Sequence, residues 1–500
     1  MTASSLTARG STHPVRFWSV SPLADLQRED SSGLPEQLIE ERIEGAGDVF
    51  LVPFLDGHLY YSPLADISMI LDEFGAETVR KYFRKDVLSP KEQGFIDKLA
   101  AQGALRTGEM KPSKPSGPGA SWSPTSVTFS NTQKCTLRCK YCYAEGGRLE
   151  DLDIPWSIAK AAIDLVVNNA KTQHGDPSIS FLGEGEATAS WGVFRKIIDY
   201  FKEQCAANGF EPTVSLSTNG VFSKAKLDYV AENCSHITFS LDGIRQAHNE
   251  NRVLPNGGGS FDRIIATMKG LDARGKSYDI RSTVTVAGTS TLTEFVQFVS
   301  ENLECKSIHF EPIFDVTGLT QLGGRIQHID VQKFVDNFRK ARRVAAEFGI
   351  ELYYSGSAMN RRDTFCGASY ASTFLVTSRG IVTSCNEVLQ PTDPRAKLFQ
   401  YGAWSEKTGE FKVDPAAIDR LGKLNVHDMP KCQGCIAKYN CAGDCYAKSA
   451  AKSATGDPAA TGYTERCHIT RELLKDNLII GLVSGMVGSA PVHRHSSGCL

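Results

Sequence analysis

From Val127 to Gly349 the chain alternates short β-branched or aromatic runs with longer amphipathic stretches, and it does so six times. Strands over Val127–Ser130, Ser178–Leu182, Thr213–Ser217, Ile237–Leu241, Ile280–Val286 and Ser307–Pro312 are each followed by a helix. The helices run over Trp156–Lys171, Trp191–Asn208, Lys224–Asn233, Phe261–Arg274, Leu292–Asn302 and Val331–Gly349. Neighbouring parallel strands need a crossover of a dozen or more residues, and a helix of this length supplies one. Six such units in sequence imply an α/β fold on one parallel sheet, curled or open, with its chemistry at the C-terminal ends of the strands.

Four further regions flank this alternation. Val49–Pro53 and Leu59–Tyr61 enclose a Leu-Asp-Gly turn and read as a hairpin. Pro63–Phe74, Ala76–Phe83 and Ser89–Gln102 read as short helices, the last capped by Ser89 with Pro90 at its first position. Residues 1–106 therefore form a small α+β module, and 107–124, rich in Pro, Gly and Ser, a linker to the alternating region 125–350. Beyond it, 351–475 breaks into short segments punctuated by Cys, Gly and Pro, the texture of a domain organised by metal, and 476–500 is a tail. Against 57 Asp and Glu stand 55 Lys and Arg, so the net charge of −2 gives no electrostatic case for nucleic acid or an acidic membrane. The opening Thr2–Pro14 stretch is polar, and the apolar run Leu478–Val487 is half of the about twenty residues a bilayer needs. A soluble, cytoplasmic protein is expected.

Fourteen cysteines are too few for a disulfide scaffold, yet they bunch. Cys135, Cys139 and Cys142 stand at Cys-x3-Cys-x2-Cys in the loop after the first strand of the alternation. A zinc site wants a fourth ligand nearby, whereas three thiolates on a four-iron cluster leave one iron open to a chelating small molecule.

The run Cys135-Thr-Leu-Arg-Cys139-Lys-Tyr141-Cys142 resembles the signature of the radical S-adenosylmethionine (SAM) superfamily. That resemblance implies a partial (β/α)6 barrel, a [4Fe–4S] cluster that binds SAM, and a 5′-deoxyadenosyl radical that removes hydrogen from substrate. Lys134, Arg138 and Lys140 flank the motif as surface charge or as cations favouring the reduced cluster. Phe181-Leu-Gly183-Glu184-Gly185-Glu186-Ala187-Thr188 is similar to the family's Gly-Gly-Glu-Pro element with Ala187 for the usual proline. The resemblance makes Glu186 and nearby carbonyls acceptors for the SAM amine. Ser217-Thr218-Asn219-Gly220 and Ser240-Leu-Asp242-Gly243, with Arg252 downstream, also match its run of motifs. They imply that Ser217 and Ser240 reach the ribose and that Arg252 pairs with the SAM carboxylate. Phe310-Glu311-Pro312 reads as core filling ahead of packing near the adenine, which the resemblance implies.

Cys366-x13-Gly380-x4-Cys385, Cys432-x2-Cys435-x5-Cys441-x3-Cys445 and Cys467 resemble the SPASM extension of radical SAM enzymes. Carried over, Cys432, Cys435, Cys441 and Cys467 hold a distal auxiliary [4Fe–4S] cluster, and Cys366, Cys385 and Cys445 a proximal one, making three clusters in all. An eighth cysteine present in sulfatase-maturing relatives is missing here, so the proximal cluster's fourth ligand is open to a substrate thiolate, Asp363, water or Cys499. Cys205, Cys234 and Cys305 read as core residues.

SPASM enzymes act on peptides or proteins, and the N-terminal module is similar in outline to leader-peptide recognition domains that add the leader as an edge strand. The alternative is a cap on the barrel. The expected reaction is hydrogen abstraction from a ribosomally made precursor peptide and formation of a cross-link, a thioether ahead of a carbon–carbon bond, with an external reductant such as flavodoxin or ferredoxin. Sulfatase-maturase-like oxidation to formylglycine is a second reading. It is disfavoured because the position after Cys385, where those relatives carry an Asp as general base, is Asn386, unless Glu387 substitutes. A non-catalytic carrier with several clusters is the third.

Overall fold

The computed structural model describes residues 40–108, 110, 122–314, 328–370 and 373–487. Residues 1–39, most of the expected linker, the end of the tail and Cys499 lie outside the described residues.

The N-terminal module is an antiparallel sheet of β1 (Glu41–Arg42), β2 (Phe50–Phe54), β3 (Gly57–Ser62) and β4 (Ile67–Leu71), followed by α1 (Glu73–Arg84) and α2 (Pro90–Ala101). The helix expected at Pro63–Phe74 is instead a turn and β4. Asp66 takes a left-handed φ of 59°, and Ile67–Leu71 then pairs residue by residue with β3. At the start of α2 Ser89 and Glu92 form the reciprocal capping box, with Pro90 leading the helix.

Seven parallel strands form the barrel sheet, one more than expected. They are β5 (Ser126–Phe129), β6 (Ser178–Phe181), β7 (Thr213–Thr218), β8 (His236–Ser240), β9 (Asp279–Val284), β10 (Ser307–Pro312) and β11 (Glu351–Tyr353). The main crossovers are α3 (Trp156–Gln173), α4 (Trp191–Asn208), α5 (Lys224–Asn233), α6 (Arg245–Asn251) with α7 (Phe261–Asp272), α8 (Leu292–Asn302) and α9 (Val331–Glu347). Strand order follows chain order, so the sheet winds in one direction and leaves its helices on one side. Period-2 alternation sorts the side chains. Phe129, Ile179, Phe181, Leu216, Phe239 and Ile280 are buried in the core shared with the helices, as are Cys205, Cys234 and Cys305. Thr128, Ser180, Ser215, Ser217, Thr238, Ser240 and Arg281 stand half-buried on the other face. The concave face is thus polar.

The cysteine-rich region does not form a separate sheet, contrary to the expected break at 350. β12 (Leu375–Val376) pairs parallel with β5. β13 (Ile381–Thr383), β14 (Gln400–Ser405) and β15 (Glu410–Val413) continue the same sheet antiparallel. Phe374, Val376, Phe399 and Tyr401 join the barrel core, and Trp122, at the end of the expected linker, packs edge-on to Phe374 at 5.0 Å. The boundary expected at 475 falls inside the last helix described. After α10 (Tyr446–Lys452) comes α11 (Glu465–Val487), and none of the described helices is long and apolar enough to cross a membrane.

Nor does the N-terminal module stand free. Phe50, Val52, Leu59 and Tyr61 share a buried cluster with Ile436, Ala437, Cys441, Leu474 and Leu478. Tyr61 donates its hydroxyl to Asn440 Oδ1 at 2.7 Å, and buried Asp48 accepts from Tyr439 at 3.0 Å and lies 3.4 Å from Lys438 Nζ.

Candidate active site

The cysteine loop is seated by the tips of β5, β6 and β7. Gly185 is a glycine because a Cβ there would stand 2.3 Å from the Lys134 carbonyl and 2.6 Å from that of Thr132, so any side chain would push the loop away. Gly183, at φ 151°, lies against Ser130. Glu184 is buried among donors from Ser130 (3.0 Å), Gln133 (2.9 Å), Ser378 (2.8 Å) and Gln390 (2.7 Å), which joins the loop to the C-terminal region. Glu186 is a hub. Its Oε1 accepts from Thr188 and Thr218 hydroxyls, each at 2.9 Å, and Oε2 from the Asn219 N–H at 2.8 Å. The acceptor expected for an amine is therefore largely engaged by the protein, and Oε2 keeps one lone pair for a further donor. Asn219 in turn points Nδ2 at Cys135 Sγ, 3.7 Å away, and at the Thr136 hydroxyl, 3.0 Å away.

Donors converge on all three sulfurs. Leu137 N–H lies 3.5 Å from Cys135 Sγ, Gly146 N–H 3.4 Å from Cys142 Sγ, and Arg252 Nη1 3.9 Å from Cys139 Sγ. Such donors suit thiolates bound to metal. Burial pushes the Cys135 thiol up to about 12 and Cys139 to about 11, so cluster binding must release protons. The flanking cations are structural. Lys134 pairs with Asp153 at 2.8 Å, Arg138 caps the Cys135 and Leu137 carbonyls, and Lys140 is exposed.

Arg252 reaches the loop from the end of α6 because Asp242 holds it. The Asp242 carboxylate is fully buried, accepts from Arg252 Nε at 2.8 Å, from the Thr283 N–H at 3.0 Å and from the Tyr141 hydroxyl. Arg252 also lies over the Tyr141 ring, 5.4 Å from its centroid. Its remaining guanidinium edge is what is left for an incoming carboxylate. Behind Asp242, His248 Nδ1 accepts from the Asp242 N–H at 3.2 Å and Nε2 bonds Ser260 Oγ at 2.9 Å. Burial holds the imidazole neutral, pushed down to about 4. The sequence motif contains Asp242 without assigning it a role, and His248 lies outside every motif. An acidic residue closing an apolar strand was the available signal. Ser217 and Ser240 face the concave side in the rows of Thr238 and Arg281, as their expected contacts require.

The other cysteines gather at two places. Cys432, Cys435, Cys441 and Cys467 line one small space with Gly443, Asp444 and Thr470. Burial raises Cys432 to about 12, Cys435 to about 11 and Cys441 well above its ordinary value. These four fit a cluster. Cys385 and Cys445 lie within electrostatic reach of one another and of Glu387, and Cys366 within reach of Tyr446, the next residue after Cys445. Tyr143, just after Cys142, feels Glu387, Arg281 and Cys385, which places this set beside the SAM-type loop across the concave face. Glu387 lies 3.6 Å from Lys448 and 3.7 Å from Arg395. Asp363 is buried three residues before Cys366. Among the described residues no three His, Cys, Asp or Glu side chains converge tightly enough to hold a single metal ion.

Glu311 departs from its expected role. β10 is buried on both faces, and Glu311 accepts from His309 Nε2 at 3.0 Å, from the Ser355 hydroxyl at 2.7 Å and from Arg466. Burial opposes its charge, but Arg466, His309 and Lys448 together outweigh that and hold the carboxyl well below the usual range. It is an ionic anchor, not filler.

Residues 130–300 match the Radical SAM superfamily model. This span is a radical SAM domain, a class that implies a [4Fe–4S] cluster and SAM. An uncharacterized protein of Methanocaldococcus jannaschii is 24% identical over 259 residues, 51% of this chain and 82% of that one. The cysteine-type anaerobic sulfatase-maturating enzyme of Clostridium novyi is 22% identical over 194 residues, 37% of this chain and half of that one. In fold, native anSMEcpe with bound AdoMet gives a TM-score of 0.58 at 17% identity, covering 72% of this chain and 99% of that one. The same protein with AdoMet and a Cp18Cys peptide gives 0.55.

Proposed function

We propose that the chain is a SPASM-type maturase that abstracts hydrogen from a residue of a ribosomally made precursor peptide and installs a cross-link, a thioether ahead of a carbon–carbon bond. The observation that carries this reading is the gathering of Cys432, Cys435, Cys441 and Cys467 on one space while Cys385, within electrostatic reach of Cys445, is also within reach of Tyr143, next to the SAM-type loop. Cys135, Cys139 and Cys142 would hold the SAM cluster, and the other two sets auxiliary clusters. Bound there, cluster and SAM supply a carbon-centred radical. The chain's own residues do the rest. Tyr141, Asp242 and Arg252 orient the cofactor's carboxylate, and Gly183, Gly185, Glu186 and Asn219 fix the loop. Ser217 and Ser240 offer hydroxyls on the concave face. The proton lost in cross-linking needs an acceptor, and Glu387, held by Lys448 and Arg395, is the carboxylate at the right place.

The leader would add to β4, which has no second strand partner among the described residues. The relative crystallised with a Cp18Cys peptide agrees with a peptide substrate. A formylglycine-type oxidation is the second reading, favoured by Glu387 standing beside Cys385 where Asn386 cannot take a proton. The test is iron content after anaerobic reconstitution, about twelve per chain, followed by mass spectrometry and thiol alkylation of a precursor peptide encoded beside the gene. A thioether consumes one alkylatable thiol, a carbon–carbon bond none, and a formyl product reacts with hydrazide.

A further inference from the structure

Arg466 is the largest fully buried side chain among the described residues, at 1% exposure, and it precedes Cys467. Its Nε donates to both oxygens of Asp444, at 2.8 and 2.9 Å, its Nη1 bonds Glu311 and its Nη2 lies 3.3 Å from Ser355 Oγ. Asp444 is itself 2% exposed and precedes Cys445. Its φ of 67° is left-handed, following Gly443 at 90°, and Asp444 lines the same space as Cys432, Cys435, Cys441 and Cys467. There it lies within electrostatic reach of Cys432 and Cys441 on one side and Cys445 on the other, while Arg466 is in reach of Cys445. Glu311, the other partner of Arg466, belongs to β10, which is buried on both faces.

Stability does not account for this arrangement, because apolar residues of the same volume commonly replace a buried ion pair without loss. Position does. A reduced cluster carries one more negative charge than an oxidised one, so a fixed carboxylate beside its ligands disfavours reduction and a fixed guanidinium favours it, and the dry surroundings leave both unscreened. We propose that Asp444 and Arg466 are positioning residues that set the reduction potentials of the two auxiliary clusters, the carboxylate lowering and the guanidinium raising them. This rests on the reading that both cysteine sets hold clusters.

The test is a redox titration followed by electron paramagnetic resonance on the anaerobically reconstituted full chain. Asp444→Asn keeps the shape and one acceptor oxygen for Arg466 and removes the anion. It should raise the reduced-to-oxidised ratio of an auxiliary signal about tenfold at fixed potential, about 59 mV for a one-electron couple. Arg466→Gln should move it the other way, Glu311→Gln should change the ratio less than about twofold, and the signal of the SAM cluster should stay put in all three. If Arg466→Gln does not retain iron, Asp444→Asn alone decides. Iron-replete Asp444→Asn with an unmoved potential, or one moved no further than by Glu311→Gln, would make the pair a structural staple and overturn the inference, as would loss of iron from Asp444→Asn. Wild-type protein that takes up iron for one cluster only would instead remove the reading on which the inference rests.

Discussion

Asp242→Asn tests how the SAM-side site is held. The substitution leaves the size of the side chain and removes its charge, so Arg252, whose side chain is 11% exposed, loses its buried counter-ion, and Tyr141 loses a charged acceptor. Breaking one half of a buried pair costs roughly 3–5 kcal/mol, against an overall stability of about 5–15 kcal/mol for a folded protein. The chain should therefore still fold, with its urea midpoint lowered. The functional loss should exceed the structural one, because the Arg252 guanidinium is set by Asp242 at both Cys139 and the expected carboxylate site. We expect weaker SAM binding by about 10²-fold, taking some 3 kcal/mol at 1.4 kcal/mol per decade, with iron at the SAM cluster retained. Equilibrium dialysis with SAM and a urea titration on the same preparation measure both. Wild-type affinity together with wild-type stability would refute the claim that Asp242 positions Arg252.

Other outcomes follow from named contacts. Replacing Cys135, Cys139 and Cys142 by Ala should remove about four irons and all SAM cleavage, read by metal analysis and chromatography of 5′-deoxyadenosine. His248 is pushed down to about 4 when folded, from an ordinary value of 6.5. Between these values the unfolded chain binds the extra proton, so stability should fall as pH drops through this window, by about 2 kcal/mol between pH 6.5 and 5. Urea midpoints of wild type and His248→Gln should converge over that range, and parallel curves would contradict the burial argument. Tyr61→Phe removes the bond to Asn440 beside Cys441 and should cost about 1 kcal/mol, with faster loss of distal-cluster iron to a chelator. An unchanged chelation rate would mean that the N-terminal sheet does not shield that site. Deleting residues 1–106 would strip the partners of Ile436, Leu474 and Leu478, so precursor binding is better compared in edge-strand variants of β4 than in that truncation.

Much of the barrel was legible because its signals are local. Helices Trp191–Asn208, Lys224–Asn233 and Leu292–Asn302 and strand Ser307–Pro312 stand where their sequence periods place them, Ser190, Ser223 and Thr291 preceding the helices and Gly209 ending the first. The misread segment Pro63–Phe74 shows the limit. Leu64, Ile67 and Leu71 fit helical spacing, but Ile67, Met69 and Leu71 fit a strand as well, and only the pairing with β3 decides. The two- to six-residue strands of the cysteine-rich region carry too few residues to show a period. Cysteine spacing picked out residues that do gather, because ligand sets are written in short intervals. The residues that hold the site together were hidden for the opposite reason. Tyr141 and Asp242 are 101 positions apart, and Glu311 and Arg466 are 155. An isolated Asp or Arg in sequence looks like surface until the fold buries it.

The most direct test of the central claim is to incubate the reconstituted enzyme with SAM, reductant and a candidate precursor peptide, and to follow peptide mass and 5′-deoxyadenosine together. A peptide lighter by two hydrogens, formed with equimolar 5′-deoxyadenosine and abolished in the Cys135/Cys139/Cys142 variant, is the predicted result. SAM cleavage that leaves the peptide's mass unchanged would contradict the assignment of a peptide-modifying maturase.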